Sequence, residues 1–197
     1  MSPRSAQITR RTGETNVTVG LDLDGGDVAL GTGVGFFDHM LELLARHGRL
    51  GLNVAVDGDL ATGAHHTVED TGIVFGQALD RALGDRAGIR RYGHALVPMD
   101  EARALCAIDL SGRPYCAVDG VPVPPGEIAG FEHEAAEEFF RAVAAAGRLT
   151  LHLELQAGAN AHHMIESQFK AFARALRVAV AIDPDQDGVP STKGTLT

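Results

Sequence analysis

The sequence has little of several features that would place it in particular classes of protein. No stretch approaches the roughly 18 apolar residues of a transmembrane helix, and the segment 1–17 lacks the apolar core of a secretory signal. Lys and Arg number 17 against 26 Asp and Glu, which gives a net charge of −9. A large nucleic-acid-binding face is therefore not expected. Two cysteines, Cys106 and Cys116, indicate buried thiols rather than a disulfide framework. We expect a soluble, cytoplasmic protein.

A repeated His-His-x-x-Glu pattern stands out against this background. It occurs as HHTVED at 65–70 and as HHMIES at 162–167, in a chain of 197 residues that is 45% hydrophobic. This length and composition allow one sizeable core, or two small lobes that share one. The question is whether the two halves of the chain are copies of each other.

The segments around the two patterns also correspond. HGRLGLNVAV (47–56) matches AGRLTLHLEL (146–155), and the alternating apolar residues in both predict a half-buried strand. Helical patterns precede these strands at 36–47 and 135–146, and follow them at 67–84 and 164–182; strand-and-turn segments lie upstream at 15–26 and 104–115. Short αβ segments can resemble each other by chance, but agreement of four elements in order favours a duplication. We expect an α+β fold with mixed or antiparallel sheets, divided into halves at about 8–92 and 93–190 within one domain (1–197), with a tail at 188–197.

The His-His-x-x-Glu patterns have the spacing of metal ligands. On a helix, residues four apart share a face, so His65 can act with Glu69 and His162 with Glu166. Adjacent residues point about 100° apart, so the two histidines of a pair suit two metals or neighbouring subunits better than one metal. The alternative is that they are polar residues at a helix start, with an acidic side chain near the positive end of the helix dipole. Two copies at equivalent places favour ligands.

The repeat adds two further donors, because His39 lies nine residues before Gly48 and Glu138 nine before Gly147. The candidate ligands are then His39, His65, His66, Glu69, Glu138, His162, His163 and Glu166, four from each half. Imidazole and carboxylate without thiolate are compatible with manganese, iron or zinc and leave positions open for substrate. The pattern differs from the H-E-x-x-H of metalloproteases.

At this point the chain resembles a known family. GVGFFDHM, HHTVED, DLSGRPY, NAHHMIESQFKAFARAL and PSTKGTL are, in order and spacing, similar to the imidazoleglycerol-phosphate dehydratases of histidine biosynthesis. The resemblance implies a hydro-lyase that converts D-erythro-1-(imidazol-4-yl)glycerol 3-phosphate to imidazole-acetol phosphate and water. It also implies two Mn²⁺ per active site, a homo-oligomer of 24 subunits with active sites between them, and helices packed between two mixed sheets. No nucleic acid or membrane partner is implied.

The resemblance also implies site residues. Seven of the eight candidate ligands match the family motifs, whereas Glu138 stands where many members have histidine; carboxylate still suits manganese. The implied substrate contacts are Glu14, His39, His47, His65, Arg91, Arg113, His162, Lys170, Ser191, Thr192 and Lys193. Guanidinium and ammonium groups are suited to a phosphate monoester. The candidate catalytic residues are Glu14, Glu69 and Glu166, of which Glu14 is the candidate general acid and base.

Two other functions are compatible with the same residues. A dinuclear hydrolase acting on a phosphate ester would also need two metals and several basic residues, and it would release inorganic phosphate. A non-catalytic protein could use the histidine pairs only to join subunits, and it would then assemble without dehydratase activity.

Overall fold

The computed structural model describes residues 4–196, which form two similar series of strands and helices. The first series contains β1 (Ser5–Arg11), β2 (Thr15–Asp22), β3 (Val28–Gly31), α1 (Gly35–Gly48), β4 (Gly51–Gly58) and α2 (His65–Leu83). The second contains β5 (Tyr92–Met99), β6 (Ala102–Asp109), β7 (Tyr115–Gly120), the short hairpin of β8 (Glu127–Ile128) and β9 (Phe131–Glu132), α3 (Ala135–Ala146), β10 (Thr150–Ala157) and α4 (Ala161–Val180).

Each series builds a four-stranded mixed sheet. The strand orders are β1-β2-β4-β3 and β5-β6-β10-β7, so the two sheets correspond strand for strand. In each sheet the last pair is parallel and the other pairs are antiparallel. The parallel pairs are those whose strands are joined through a helix, as parallel neighbours require. The predicted duplication and the mixed sheets are confirmed.

Each sheet buries one face, as the alternating sequence predicts. On β2, Val17, Val19 and Leu21 are buried, while the residues between them are at least partly exposed. Period-2 alternation of this kind is typical of a sheet with one face toward a core. Cys106 on β6 is buried and Cys116 on β7 is half-buried, and both are free thiols.

The helices lie between the two sheets and connect the halves. Helix α2 packs on β1 and β2 of the first sheet and against α3, while α4 packs on β5 and β6 of the second sheet and against α1. The contact of α2 with α3 is close, because a Cβ at Gly72 would lie 2.8 Å from the carbonyl oxygen of Phe139. Within the described residues, none of the helices combines the length and apolar character that a membrane crossing needs.

The two helices that carry the histidine pairs begin earlier than the sequence pattern predicts. Helix α2 begins at His65 and α4 at Ala161, so both pairs lie in the first turn of a helix. Asn160 caps α4, because its side-chain oxygen accepts hydrogen bonds from the backbone N–H groups of His162 and His163. The cap fixes the first turn that carries His162 and His163, whereas α2 begins without a side-chain cap. The exact limits of the two halves and of the tail stay predictions.

Candidate metal centre and active site

A cluster of three predicted ligands forms where α1 packs against α4. His39 on α1 meets His162 and Glu166 on α4, and one ligand atom from each lies within 4.8 Å of the others. The carboxylate oxygen Glu166 Oε2 is 3.0 Å from His162 Nε2 and 3.6 Å from His39 Nε2. Glu166 is buried, whereas the two imidazoles reach solvent. Two imidazole nitrogens and a carboxylate oxygen without thiolate suit manganese or iron and leave positions open for another ligand.

Lys170 also contacts this cluster. Its Nζ lies 2.5 Å from Glu166 Oε1, one helical turn along α4. Burial alone would raise the pKa of Glu166, but the hydrogen bond and charge of Lys170, together with His162, lower it overall. The carboxyl group is thus kept ionised, which is the form that binds a cation. On the neighbouring helix, burial and the charges of Lys170 and Arg174 lower the pKa of His47.

The equivalent candidate ligands of the other half, on α2 and α3, lie farther apart and are more exposed than Glu166. His65 Nε2 lies 3.8 Å from Glu69 Oε2, and about half of each side chain is exposed. Glu138 is half-buried on α3, the helix that packs against α2 as α1 packs against α4. Between residues 4 and 196, the cluster around Glu166 is the one place where three potential ligands converge. The role of Glu138 as a ligand stays a prediction.

The second histidine of each pair, His66 or His163, contacts carboxylates that the first histidine does not contact. His66 Nδ1 lies 3.0 Å from Asp59 Oδ2, and its Nε2 lies 3.9 Å from Glu14 Oε1. The hydrogen bond that Asp59 accepts from His66 is the main cause of a raised pKa of His66. Glu14 is well exposed and lies in the turn between β1 and β2. The candidate acid and base is therefore placed beside a predicted metal ligand.

His163 has a corresponding pair of carboxylates. Its Nδ1 is 2.8 Å from Glu101 Oε2, and its Nε2 is 3.7 Å from Asp100 Oδ2. The hydrogen bond with Glu101 is the main cause of a raised pKa of His163. The same bond, with backbone N–H donors from Asn160 and Ala159, lowers the pKa of Glu101 to about 2. Glu101 is consequently ionised and can only accept hydrogen bonds.

The candidate phosphate contacts gather around the C-terminal tail. Arg113 is exposed, and its guanidinium makes no hydrogen bond or ion pair with any residue of the described segment. Ser191, Thr192 and Lys193 form a turn in which Ser191 Oγ accepts the backbone N–H of Lys193. The tail end packs next to Arg113, because a Cβ at Gly112 would lie 2.1 Å from the carbonyl oxygen of Leu196. Free cationic side chains thus lie on two neighbouring segments.

Arg91, a predicted substrate contact, binds other residues of its own chain. Its Nε donates to Asp109 Oδ1 at 2.7 Å, its Nη2 to Asp109 Oδ2 at 3.1 Å, and its Nη1 to the carbonyl oxygen of Pro190 at 2.8 Å. The bond to Asp109 is the main cause of a raised pKa of Arg91. The side chain therefore holds the tail just before Ser191, and a direct contact with substrate stays a prediction.

The candidate metal ligands of the second half and the candidate phosphate-binding groups of one chain lie far apart. Glu101, beside His163, precedes β6, whereas Asp109, the partner of Arg91, ends it. Eight residues of extended strand span about 26 Å. Helix α4 gives the same separation. His163 lies in its first turn, and near its other end the carbonyl oxygen of Ala179 accepts the backbone N–H of Arg91. The 16 residues from His163 to Ala179 span about 24 Å of helix. A small substrate cannot reach both groups of the same chain.

Sequence reasoning missed Asp59, Asp100 and Glu101, the carboxylates that contact the second histidines. A signal for Glu101 was present in the repeat. Glu14 directly precedes β2 and Glu101 directly precedes β6, and these are equivalent strands of eight residues in the two sheets. No comparable signal marks Asp59, because it lies in the loop between β4 and α2, where the two halves differ in length.

Comparisons with known proteins identify the family of this chain. The family model described as imidazoleglycerol-phosphate dehydratase matches residues 32–176. Curated proteins of that name from Polaromonas sp. and Symbiobacterium thermophilum are 53% and 55% identical, over 99% and 100% of this chain and 95% and 94% of theirs. The crystal structure of the Staphylococcus aureus dehydratase gives a TM-score of 0.83 at 40% identity, covering 91% of this chain and 99% of that chain.

A second solved structure gives the same result from a distant organism. The protein from Pyrococcus furiosus, solved in complex with (S)-C348, has a TM-score of 0.83 at 36% identity and covers 96% of this chain and 100% of that one. The match therefore includes the two sheets, the four helices and the segments that carry the histidine pairs. The chain belongs to the imidazoleglycerol-phosphate dehydratase family and is an enzyme of the hydro-lyase type.

Proposed function

We propose that this enzyme dehydrates D-erythro-1-(imidazol-4-yl)glycerol 3-phosphate to 3-(imidazol-4-yl)-2-oxopropyl phosphate, as a cytoplasmic step of histidine biosynthesis. The observation that carries the proposal is the convergence of His39, His162 and Glu166 in a chain of this family. The reaction removes the hydroxyl on the carbon next to the ring and the proton on the middle carbon, and the resulting enol becomes the ketone. Formation of this product by the purified enzyme tests the proposal.

The residues present fit a pair of Mn²⁺ ions. The donor set is His39, His65, His66, Glu69, Glu138, His162, His163 and Glu166, all nitrogen or oxygen ligands that manganese accepts. Bound metal would favour the deprotonated form of the substrate's imidazole ring, which can take up electron density as the neighbouring hydroxyl leaves. Glu69 and Glu166 would then act as metal ligands in contact with the reacting centre.

Glu14 is proposed as the general acid and base. Its carboxylate lies 3.9 Å from His66 Nε2 and is well exposed, so it can exchange a proton with substrate or solvent. Within the described residues the carboxylate makes no hydrogen bond. A proton removed from the middle carbon can therefore be accepted by Glu14 without breaking an internal contact.

We propose that the phosphate binds to Arg113, Ser191, Thr192 and Lys193, while Arg91 holds the tail through Pro190. The separation of about 25 Å between these residues and the metal cluster supports active sites formed between subunits. A homo-oligomer, for which we propose 24 subunits, would bring the phosphate-binding surface of one chain to the metal-binding surface of another.

Two inactive variants should restore activity when they are combined. We expect His162→Ala and Arg113→Ala each to lose most activity, the first through metal binding and the second through the phosphate. The phosphate contact is worth on the order of 2–5 kcal/mol when it is desolvated. Co-expression of the two chains should recover activity at sites that take their metal ligands from one variant and their phosphate contacts from the other.

The matched control combines two variants of the same cluster, His162→Ala and Glu166→Ala. Because His162 and Glu166 lie on one helix, each chain of that mixture is defective at the same set of ligands, and we expect no recovery. Equal activity in both mixtures, or none in the first, would argue against sites shared between chains.

Glu138 should behave as a ligand that histidine can replace. We expect Glu138→His to keep two metals per site and activity, because imidazole is a competent donor for the same ions. Glu138→Ala should lose one of the two metals preferentially, and Glu138→Leu should bind metal no better. Metal titration followed by elemental analysis measures this. Full occupancy of both sites at unchanged affinity in Glu138→Ala would make Glu138 an ordinary helix residue.

A further inference from the structure

In each histidine pair, the Nδ1 atom of one imidazole is held by a carboxylate. The other ring nitrogen, Nε2, is left for a metal ion. Asp59 binds His66 at Nδ1 and Glu101 binds His163 at Nδ1, at 3.0 and 2.8 Å. An ionised carboxylate only accepts hydrogen bonds, so Nδ1 of each ring must carry the hydrogen. In the neutral form of each ring, Nε2 then has a free lone pair. This contrasts with His162, whose Nε2 itself faces Glu166 in the cluster.

Glu101 is fixed at both of its oxygens. Oε1 accepts the backbone N–H groups of Asn160 at 2.8 Å and Ala159 at 3.2 Å, while Oε2 accepts from His163. Asn160 is also the cap of α4. The side chain is therefore tied to the start of the helix that carries His163, and it fixes the rotation of that imidazole relative to the helix.

The two halves reach the same arrangement with different residues. In the first half the loop between β4 and α2 supplies Asp59, and the carboxylate of Glu14 in the hairpin turn makes no hydrogen bond within the described chain. In the second half the corresponding loop, at 158–160, has the sequence Gly-Ala-Asn and no carboxylate. There the hairpin residue equivalent to Glu14, which is Glu101, takes the position beside Nδ1.

We propose that Asp59 and Glu101 are positioning residues that hold His66 and His163 with hydrogen on Nδ1, so that Nε2 is the metal-binding atom. This proposal rests on the metal-dependent function proposed above. The carboxylate orients each ring and makes its free nitrogen a better donor. The arrangement also explains why one hairpin glutamate is available as an acid and base and the other is not. Because Asp59 already accepts the hydrogen bond of His66 Nδ1, Glu14 is not needed at that nitrogen.

Mn²⁺ titration of the metal-free protein, in competition with a chromophoric chelator, tests the proposal. We expect Glu101→Ala and Asp59→Ala each to lower Mn²⁺ affinity by about 10- to 100-fold, the range typical for the loss of such a partner. Glu101→Gln and Asp59→Asn should lose less, because the amide oxygen can still accept from Nδ1. Asp57→Asn, an exposed carboxylate on the neighbouring strand β4, is the control and should bind Mn²⁺ like wild type.

A second measurement separates this proposal from the proposed reaction. Nitrogen-15 NMR of histidine-labelled, metal-free protein reports which ring nitrogen carries hydrogen, and we expect Nδ1–H at His66 and His163. If the wild type bound no Mn²⁺, the proposed function would fail while the hydrogen-bond assignment could still be measured. Should an alanine variant not fold, the amide variants give the affinity comparison. Unchanged Mn²⁺ affinity in the Asp59 and Glu101 variants, an equal loss in Asp57→Asn, or Nε2–H rings in the wild type would overturn the proposal.

Discussion

Removal of divalent metal should abolish the dehydratase activity, and Mn²⁺ should restore it. The proton on the middle carbon of the substrate is not acidic by itself, and the cation that contacts Glu166, Lys170, is already paired with it. Without a metal, little in this cluster can stabilise negative charge on the substrate's ring. Activity measured after chelation, and again after stepwise addition of Mn²⁺, gives the expected loss and recovery.

The same experiment should change the size of the assembly. The histidines of each pair face different neighbours, and four of the eight predicted ligands, His39, His65, Glu69 and His162, have side chains that are 41–50% exposed on one chain, so metal ions can join neighbouring subunits. We expect light scattering to show smaller particles after chelation. Particles of unchanged size would leave the role of the metal in catalysis intact and remove its role in assembly, whereas full activity in metal-free protein would contradict the proposed function.

Glu14→Gln should lower kcat by about 10²- to 10⁴-fold, the usual contribution of a general acid or base. Glutamine keeps the shape of the side chain and its hydrogen-bonding oxygen but cannot accept the proton. Since the carboxylate of Glu14 makes no hydrogen bond in the described chain and is exposed, the substitution should leave folding, metal content and assembly unchanged. Steady-state kinetics at saturating Mn²⁺, with metal analysis of the same sample, measure this.

The pattern of kinetic change distinguishes two roles for Glu14. A fall in kcat with little change in KM indicates proton transfer, because the interaction is then made in the transition state. A raised KM with nearly unchanged kcat would assign Glu14 to substrate binding instead. Glu42→Gln, on the exposed side of α1, is a control for the loss of one surface carboxylate and should have wild-type kinetics.

Much of the fold could be predicted because both halves of the duplication show the same short-range sequence patterns. The alternation around Val17, Val19 and Leu21 and the helical pattern before Gly48 are short-range signals, and each recurs in the second half. The i,i+4 spacing of His162 and Glu166 likewise places both on one face of a helix, where the structure has them. Such features depend on neighbours within a few residues.

The remaining features depend on which elements pack together, and this is not a local property. Nothing in the sequence alone pairs α1 with α4, so the convergence of His39 with the second half's ligands could not be derived from spacing. The contact of Asp59 with His66 and that of Arg91 with Pro190 arise in the same way, from loops brought together by the sheets and helices. The guanidinium of Arg91 hydrogen-bonds Asp109 and Pro190, contacts that the motif did not indicate, and its contact with substrate stays a prediction.

The central claim is that the enzyme, loaded with Mn²⁺, removes water from imidazole-glycerol phosphate. The most direct measurement is identification of the product formed by metal-replete protein, by mass and by the ketone's reactivity, alongside an assay for inorganic phosphate. We expect one imidazole-acetol phosphate for each substrate consumed, and we expect this product to form only when metal is present. No inorganic phosphate should be released. Release of inorganic phosphate without the ketone would indicate a dinuclear hydrolase, and intact substrate with fully metallated, assembled protein would indicate a non-catalytic role; either result would contradict the proposed function.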